Sequence, residues 1–168
     1  MIRIAITGPE SSGKTTLCQA LSEHFKVAFI PEFARTYLEG TKGEYEQSDL
    51  DQIGRGQLKS IQSSQNKIAV CDSDFSVLEI WSHYKYGNVS DFISELVDKE
   101  IFDLHILCTP DIPWEADPLR ENPDNRSQLF ELYVASLNKY NKNYIIVSGE
   151  HINRVEKSLE RIDHLLKV

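Results

Sequence analysis

Cysteine and tryptophan are scarce in this chain, basic residues are outnumbered by acidic ones, and no apolar run is long. The three cysteines, Cys18, Cys71 and Cys108, are widely spaced, odd in number and each set in an apolar stretch. That pattern argues against a disulfide framework or a cysteine metal cluster and predicts buried free thiols. With 18 Lys+Arg against 26 Asp+Glu and a formal net charge of −8, the surface lacks the basic field that nucleic acid or an anionic membrane requires. Neither partner is expected. No segment reaches the ~20 apolar residues of a membrane-spanning helix. The opening MIRIAITG lacks the basic start and longer apolar region of a signal peptide. These absences predict a soluble, cytoplasmic protein. At 168 residues the chain suits one well-buried core and is short for two, so a single domain over 1–168 is expected. No pattern specifies an oligomeric state.

What is present is a set of short apolar runs at 2–6 (IRIAI), 27–30 (VAFI), 67–71 (KIAVC), 104–108 (LHILC) and 144–147 (YIIV). They lack clean alternation, as strands covered on both faces do. Helical patterns separate them. TTLCQALSEHF follows the first run, and Ser48 with Asp51 has the form of a capping box opening a helix through Leu50, Ile53, Leu58 and Ile61, a pattern weakened by Gly54 and Gly56. FSVLEIWSHYKY ends at Gly87, a glycine suited to a helix C-terminus, and a further helix is expected over about 91–101. Asn125 and Gln128 resemble a capping pair for a helix to about Tyr140, and Ile152, Val155, Leu159, Ile162 and Leu166 form a stripe read as core packing. The alternation predicts an α/β fold: about five parallel strands with helices on both faces. Ligands of such sheets bind beyond the carboxyl ends of the strands.

The first strand is followed by GPESSGKT, residues 8–15, which fits G-x-x-x-x-G-K-[ST] between a strand and a helix. Gly8 and Gly13 permit the tight backbone, and the N–H groups of Glu10, Ser11, Ser12 and Gly13 can then surround phosphate oxygens at a helix N-terminus. Lys14 meets the outer phosphates of ATP, the Thr15 hydroxyl ligates magnesium, and Thr16 completes the loop. The second run is followed by Glu32 and Arg35, a carboxylate able to accept a hydroxyl proton and a cation able to hold a phosphate or a substrate oxygen, or else a surface ion pair. The third leads into Asp72, placed to reach the magnesium shell, and Asp74, which could bind a ligand or cap the next helix. After the fifth run, residues 148–154 are a candidate edge for the adenine.

The fourth run is followed by PDIPWEADPLRENPDNR, residues 110–126, holding four of the six prolines, two arginines and five carboxylates. An ordered loop of this length without secondary structure is usually a lid or binding loop. Arg120 and Arg126 could close on phosphates as charge spreads during transfer. A GTPase switch would carry N-K-x-D, and NKNY and NKYN both lack the aspartate. A mechanical or signalling ATPase finds no support in extra modules or basic tracks. A small-molecule kinase needs a second pocket, a carboxylate and a lid, and each has a candidate here.

GPESSGKT, the E-x-x-R of EFAR, DSDF and PWEADPLR together resemble the ribosylnicotinamide kinase domain of the NadR proteins. The resemblance covers nearly the whole chain. It implies a P-loop nucleoside-kinase fold and transfer from ATP to the 5′-hydroxyl of nicotinamide riboside, giving nicotinamide mononucleotide. It further implies ATP on Gly8 to Thr16, magnesium on Thr15 and Asp72, and Arg120 on the reacting phosphate. Arg35, Asp74 and Phe75 would lie at the nucleoside, and Trp114 would stack on the nicotinamide, whose cationic ring an aromatic face attracts. Glu32, Asp72 and Asp74 all remain open as the base, and another nucleoside remains open as the acceptor. No H-x-G-H nucleotidyltransferase motif occurs among the five histidines, so the reaction is expected to stop at the mononucleotide.

Overall fold

The computed structural model describes residues 1–41, 43–99, 101–120 and 122–167. β1 (Ile2–Thr7) runs through a loop into α1 (Lys14–Phe25), followed by α2 (Phe33–Gly40) and α3 (Gln47–Gln62). Then come β2 (Ile68–Asp72), α4 (Ser76–Tyr86), α5 (Asp91–Asp98), β3 (Leu104–Cys108), α6 (Arg126–Lys139), β4 (Tyr144–Val147) and α7 (His151–Leu166). The strands pair in parallel in the order β2-β1-β3-β4, with Ile4 of the central β1 opposite Val70 and Leu104.

Successive side chains of a strand point to opposite faces, and both faces of this sheet are covered. Ile4 and Ile6 pack with Leu17, Leu21 and Ile162 of α1 and α7, while Ala5 and Cys71 pack with Leu50, Ile53, Leu78 and Leu96 of α3, α4 and α5. A third cluster joins Leu107 to Ile80, Leu129 and Leu137 of α4 and α6. Every strand is therefore apolar almost throughout, which is why the sequence shows runs rather than alternation.

Several local expectations are corrected. VAFI contributes one parallel bridge, Ile30 to Cys71, with Ile30 N–H donating to Val70 O and Asp72 N–H to Ile30 O, both at 2.8 Å. Pro31 follows, and its lack of an N–H, with the restraint it places on Ile30, stops the pairing there. The capping box of α3 is Glu46 with Asp49, not Ser48 with Asp51; Asp51 instead accepts from Ser90 Oγ at 2.6 Å. The glycines of α3 are packing sites: a Cβ on Gly56 would lie 2.2 Å from the Phe33 ring, and one on Gly54 3.1 Å from Leu96. The Asn125 side chain makes no cap bond and donates to Tyr84 Oη. On α7 the core-packing stripe holds at Val155, Leu159 and Ile162, while Ile152 and Leu166, near the two ends of the helix, are exposed. Gly87 terminates α4 with φ 73° as expected. Among the described residues no helix is long and apolar enough to cross a membrane.

Candidate active site

The loop after β1 is shaped by two close constraints. Gly8 has φ +134°, and a Cβ there would meet the Cys108 carbonyl oxygen at 2.6 Å, so no other residue fits between β1 and β3. Gly13 has φ +82° and caps α1 without a side-chain bond, and no acidic residue stands in the first turn of that helix. The first N–H groups of α1 therefore face the loop unopposed, the arrangement that binds anions. Lys14 Nζ donates to Gly8 O at 2.9 Å and Pro9 O at 2.8 Å, and Ser12 Oγ to Pro9 O at 2.7 Å.

Carboxylates approach this loop from neighbouring strand ends. Asp72 is buried, and its Oδ2 accepts from Thr15 Oγ1 at 2.7 Å while Oδ1 has no hydrogen-bond partner. Glu32 precedes α2, makes no cap bond and lines the cavity beside Lys14 and Arg35. Burial raises its pKa above the ordinary glutamate range, against the opposing charge of Lys14.

The cavity, of about 260 Å³, is bounded by residues 8–16, Glu32, Arg35 and Leu38, by Tyr45, and by Val77, Leu78, Ile80 and Trp81 on α4. Glu115, Pro118, Leu119 and Arg120 close it from the segment between β3 and α6. That segment has no helix or strand among its described residues and is fastened to what it covers. Glu115 N–H donates to Ser11 Oγ at 2.9 Å, Asn122 N–H to Glu10 Oε2 at 3.0 Å, and Arg126 NH1 to the carbonyls of Ser11 and Ile112 at 3.0 Å each. Arg35 NH2 donates to Asp117 Oδ2 at 2.5 Å and also pairs with Glu39. Glu121, inside this segment, lies outside the described residues.

Three residues expected at the acceptor stand elsewhere. Asp74 is buried beside the sheet, where Oδ1 accepts from Thr7 Oγ1 at 2.9 Å and Ser76 Oγ at 2.6 Å and Oδ2 lies 3.5 Å from His105 Nε2. Its short side chain is committed to tying the start of α4 to β1. Phe75 packs on Phe102, with centroids 6.0 Å apart, in the core. Trp114 is absent from the cavity lining; its ring centroid lies 5.8 and 5.7 Å from the guanidinium carbons of Arg120 and Arg126. Sequence reasoning missed Trp81, Tyr45 and Tyr133, aromatic residues that do line the cavity, the Trp81 and Tyr45 rings meeting edge to face at 6.5 Å. The signal for Trp81 was its position four residues after Val77, hence on the same side of α4. Tyr45 carried no periodic signal. Residues 148–154, expected at the adenine, do not line this cavity among the described residues.

Comparison with known proteins agrees with this geometry. Residues 3–154 match the family described as AAA domain. The chain belongs to this family. It is 33% identical over 156 residues to the trifunctional NAD biosynthesis/regulator protein NadR of Escherichia coli, and 30% identical over 173 residues to that of Salmonella typhimurium. These alignments cover 88% and 97% of this chain, but the chain spans only 38% and 42% of those relatives. In fold it is similar to a NadR protein solved in complex with NR, with a TM-score of 0.81 at 20% identity over 99% of this chain and 50% of that one. It is also similar to a deoxyadenosine kinase from M. mycoides with bound dATP, with a TM-score of 0.58 at 15% identity over 97% of this chain and all of that one. The AAA domain of this chain thus has the fold of P-loop nucleoside kinases, as its motifs led us to expect.

Proposed function

We propose that this AAA domain transfers the γ-phosphoryl group of ATP to the 5′-hydroxyl of nicotinamide riboside. The observation that carries the reading is one cavity in which the phosphate loop and Glu32 face each other beneath an arginine-bearing cover. The far wall suits the acceptor. Trp81 offers aromatic surface there, beside Tyr45, whose ring already carries the Lys85 ammonium 3.6 Å from its centroid, and Glu10, Glu32 and Glu115 in the same lining set negative charge against Lys14, Arg35 and Arg120; an aromatic face of this kind favours a cationic pyridinium ring over a neutral base. NadR relatives, one of them solved with NR, support the same acceptor.

ATP lies on Gly8 to Thr16, with Lys14 on the outer phosphates. Glu32 takes the hydroxyl proton as the oxygen–phosphorus bond forms and the bond to ADP breaks. It is preferred over Asp74, which is turned away from the cavity, and over Asp72, which holds Thr15. Lys14 and Arg120 stabilise charge on the transferring group, most of the catalysis being positioning and electrostatics. Thr15 and Asp72 would hold magnesium, and the free Asp72 Oδ1 beside a hydroxyl is a donor set a hard cation accepts. Bound there, magnesium supplies neutralisation of the phosphate charge. Arg126 spends NH1 on the Ser11 and Ile112 carbonyls and acts by holding the cover in place. The cover excludes water, so that the phosphoryl group reaches the riboside rather than the solvent.

The test is ADP release with MgATP and nicotinamide riboside, other nucleosides or water as acceptor, with the product identified by mass. Riboside-dependent release with formation of the mononucleotide is expected. Equal release without acceptor would replace the proposal by an ATPase, and preference for another nucleoside would overturn the assignment of the aromatic wall.

A further inference from the structure

The first turn of α7 carries an arginine that points inward. Arg154 is 3% exposed, although arginine is rarely buried unless paired. Its Nε donates to Gly149 O at 2.8 Å, NH1 to Ser12 O at 2.8 Å, and NH2 to Thr109 O at 3.3 Å and to Asp111 Oδ1. Asp111 in turn accepts from Thr109 Oγ1 and from Gly149 N–H, each at 2.6 Å. One guanidinium therefore joins the phosphate loop to the loops that leave β3 and β4.

Ser12 is the informative partner. In a planar trans peptide the carbonyl of one residue and the N–H of the next point in opposite directions. Anchoring Ser12 O on the guanidinium turns Gly13 N–H to the other side of that peptide. Gly13 lies close above the arginine: a Cβ built on it would be 3.9 Å from NH1. The fork of fixed donors on arginine can hold several carbonyls in one arrangement, which the single ammonium of lysine does not reproduce.

We propose that Arg154, held by Asp111, is a positioning residue for the phosphate loop, which orients the Ser12–Gly13 peptide beneath the bound nucleoside triphosphate. It never touches the acceptor. Its effect is therefore selective: nucleotide affinity depends on it and acceptor affinity does not. The inference rests on the kinase reading for the identity of the ligand.

The experiment measures MgATP binding by calorimetry, together with KM for both substrates, in Arg154→Met, Arg154→Lys and Asp111→Asn. Arg161→Ala, on the same helix, serves as the control; its guanidinium donates to Asn143 Oδ1. Arg154→Met and Arg154→Lys are expected to raise the Kd for MgATP roughly tenfold or more, with KM for the acceptor moving less than about twofold. Methylguanidinium added to Arg154→Ala should restore part of the nucleotide affinity; a merely structural role would instead move the acceptor KM together with the nucleotide Kd. A folded Arg154→Met that binds MgATP as the wild type does overturns the proposal. Should that variant fail to fold, unchanged binding by folded Asp111→Asn overturns it instead. Wild-type protein that binds no MgATP rejects the kinase reading and this inference together, and does so before any substitution is made.

Discussion

Burial sets the chemistry of several reactive groups of this molecule, Glu32 and the cysteines above all. Lys14 lies within the phosphate loop, so Lys14→Ala should lower kcat by about 10²-fold or more while circular dichroism stays native; normal turnover would remove the loop from the nucleotide site. Glu32 has a pKa raised chiefly by desolvation, with Lys14 pulling the other way. As the proposed base it must be ionised, so the acid limb of kcat/KM should fall above the ordinary glutamate range near ~4.3, and Glu32→Gln should abolish both the limb and most of the rate. The linkage has a definite sign. With a folded-state pKa above the unfolded one, the contribution of Glu32 to stability is complete below the unfolded pKa and is lost as pH rises through the folded one. Denaturant melts of wild type and Glu32→Gln across that range should converge at low pH. Burial moves the cysteines in the same direction. Burial pushes Cys71 up to about 12 and Cys108 up to about 11, so the thiolate is absent at neutral pH. A thiol reagent at pH 8 should leave all three cysteines unmodified in native protein and titrate all three after denaturation.

At the scale of elements, the cover and α3 show how packing sets the site. α2 can start where it does because α3 presents Gly56 to the Phe33 ring and Gln57 Oε1 to the Phe33 N–H at 2.7 Å. Gly56→Ala would drive a methyl group into that ring and should cost about 1–3 kcal/mol in urea unfolding, with a rise in KM for the acceptor as Glu32 shifts; an unchanged midpoint would contradict the packing. Gly54 and Gly56 read in the sequence as weaknesses of a helix. Their reason lies in Phe33, Leu78 and Leu96, which periodicity within one segment cannot supply. The same limit explains the misplaced capping box. Ser48 with Asp51 comes nearer the usual pattern than Glu46 with Asp49, yet the bonds form at Glu46 and Asp49, while Asp51 accepts from Ser90 at the start of α5.

For the whole molecule, binding to the native state alone must stabilise it. MgATP at about 100 times its Kd should add roughly 2.7 kcal/mol, a shift in Tm that Lys14→Ala should not show. The order in which the strands pair was not legible from the chain, but four of the five expected strands, the phosphate loop, the position of Asp72 at the end of a buried strand and the long segment between β3 and α6 were. Each is a local pattern whose physical cause acts within a few residues: a glycine where φ is positive, an apolar run covered on both faces, a proline-rich loop too long to be idle. What only the tertiary structure decided is which side chains share a space. Tyr45 and Trp81 meet across 36 positions of sequence, Asp74 turns toward Thr7 and away from the cavity, and Arg154 reaches Ser12 from the far end of the chain. Those outcomes depend on where a sheet brings distant loops together and on which buried polar group finds a partner first, and neither is written in the spacing of residues along one element.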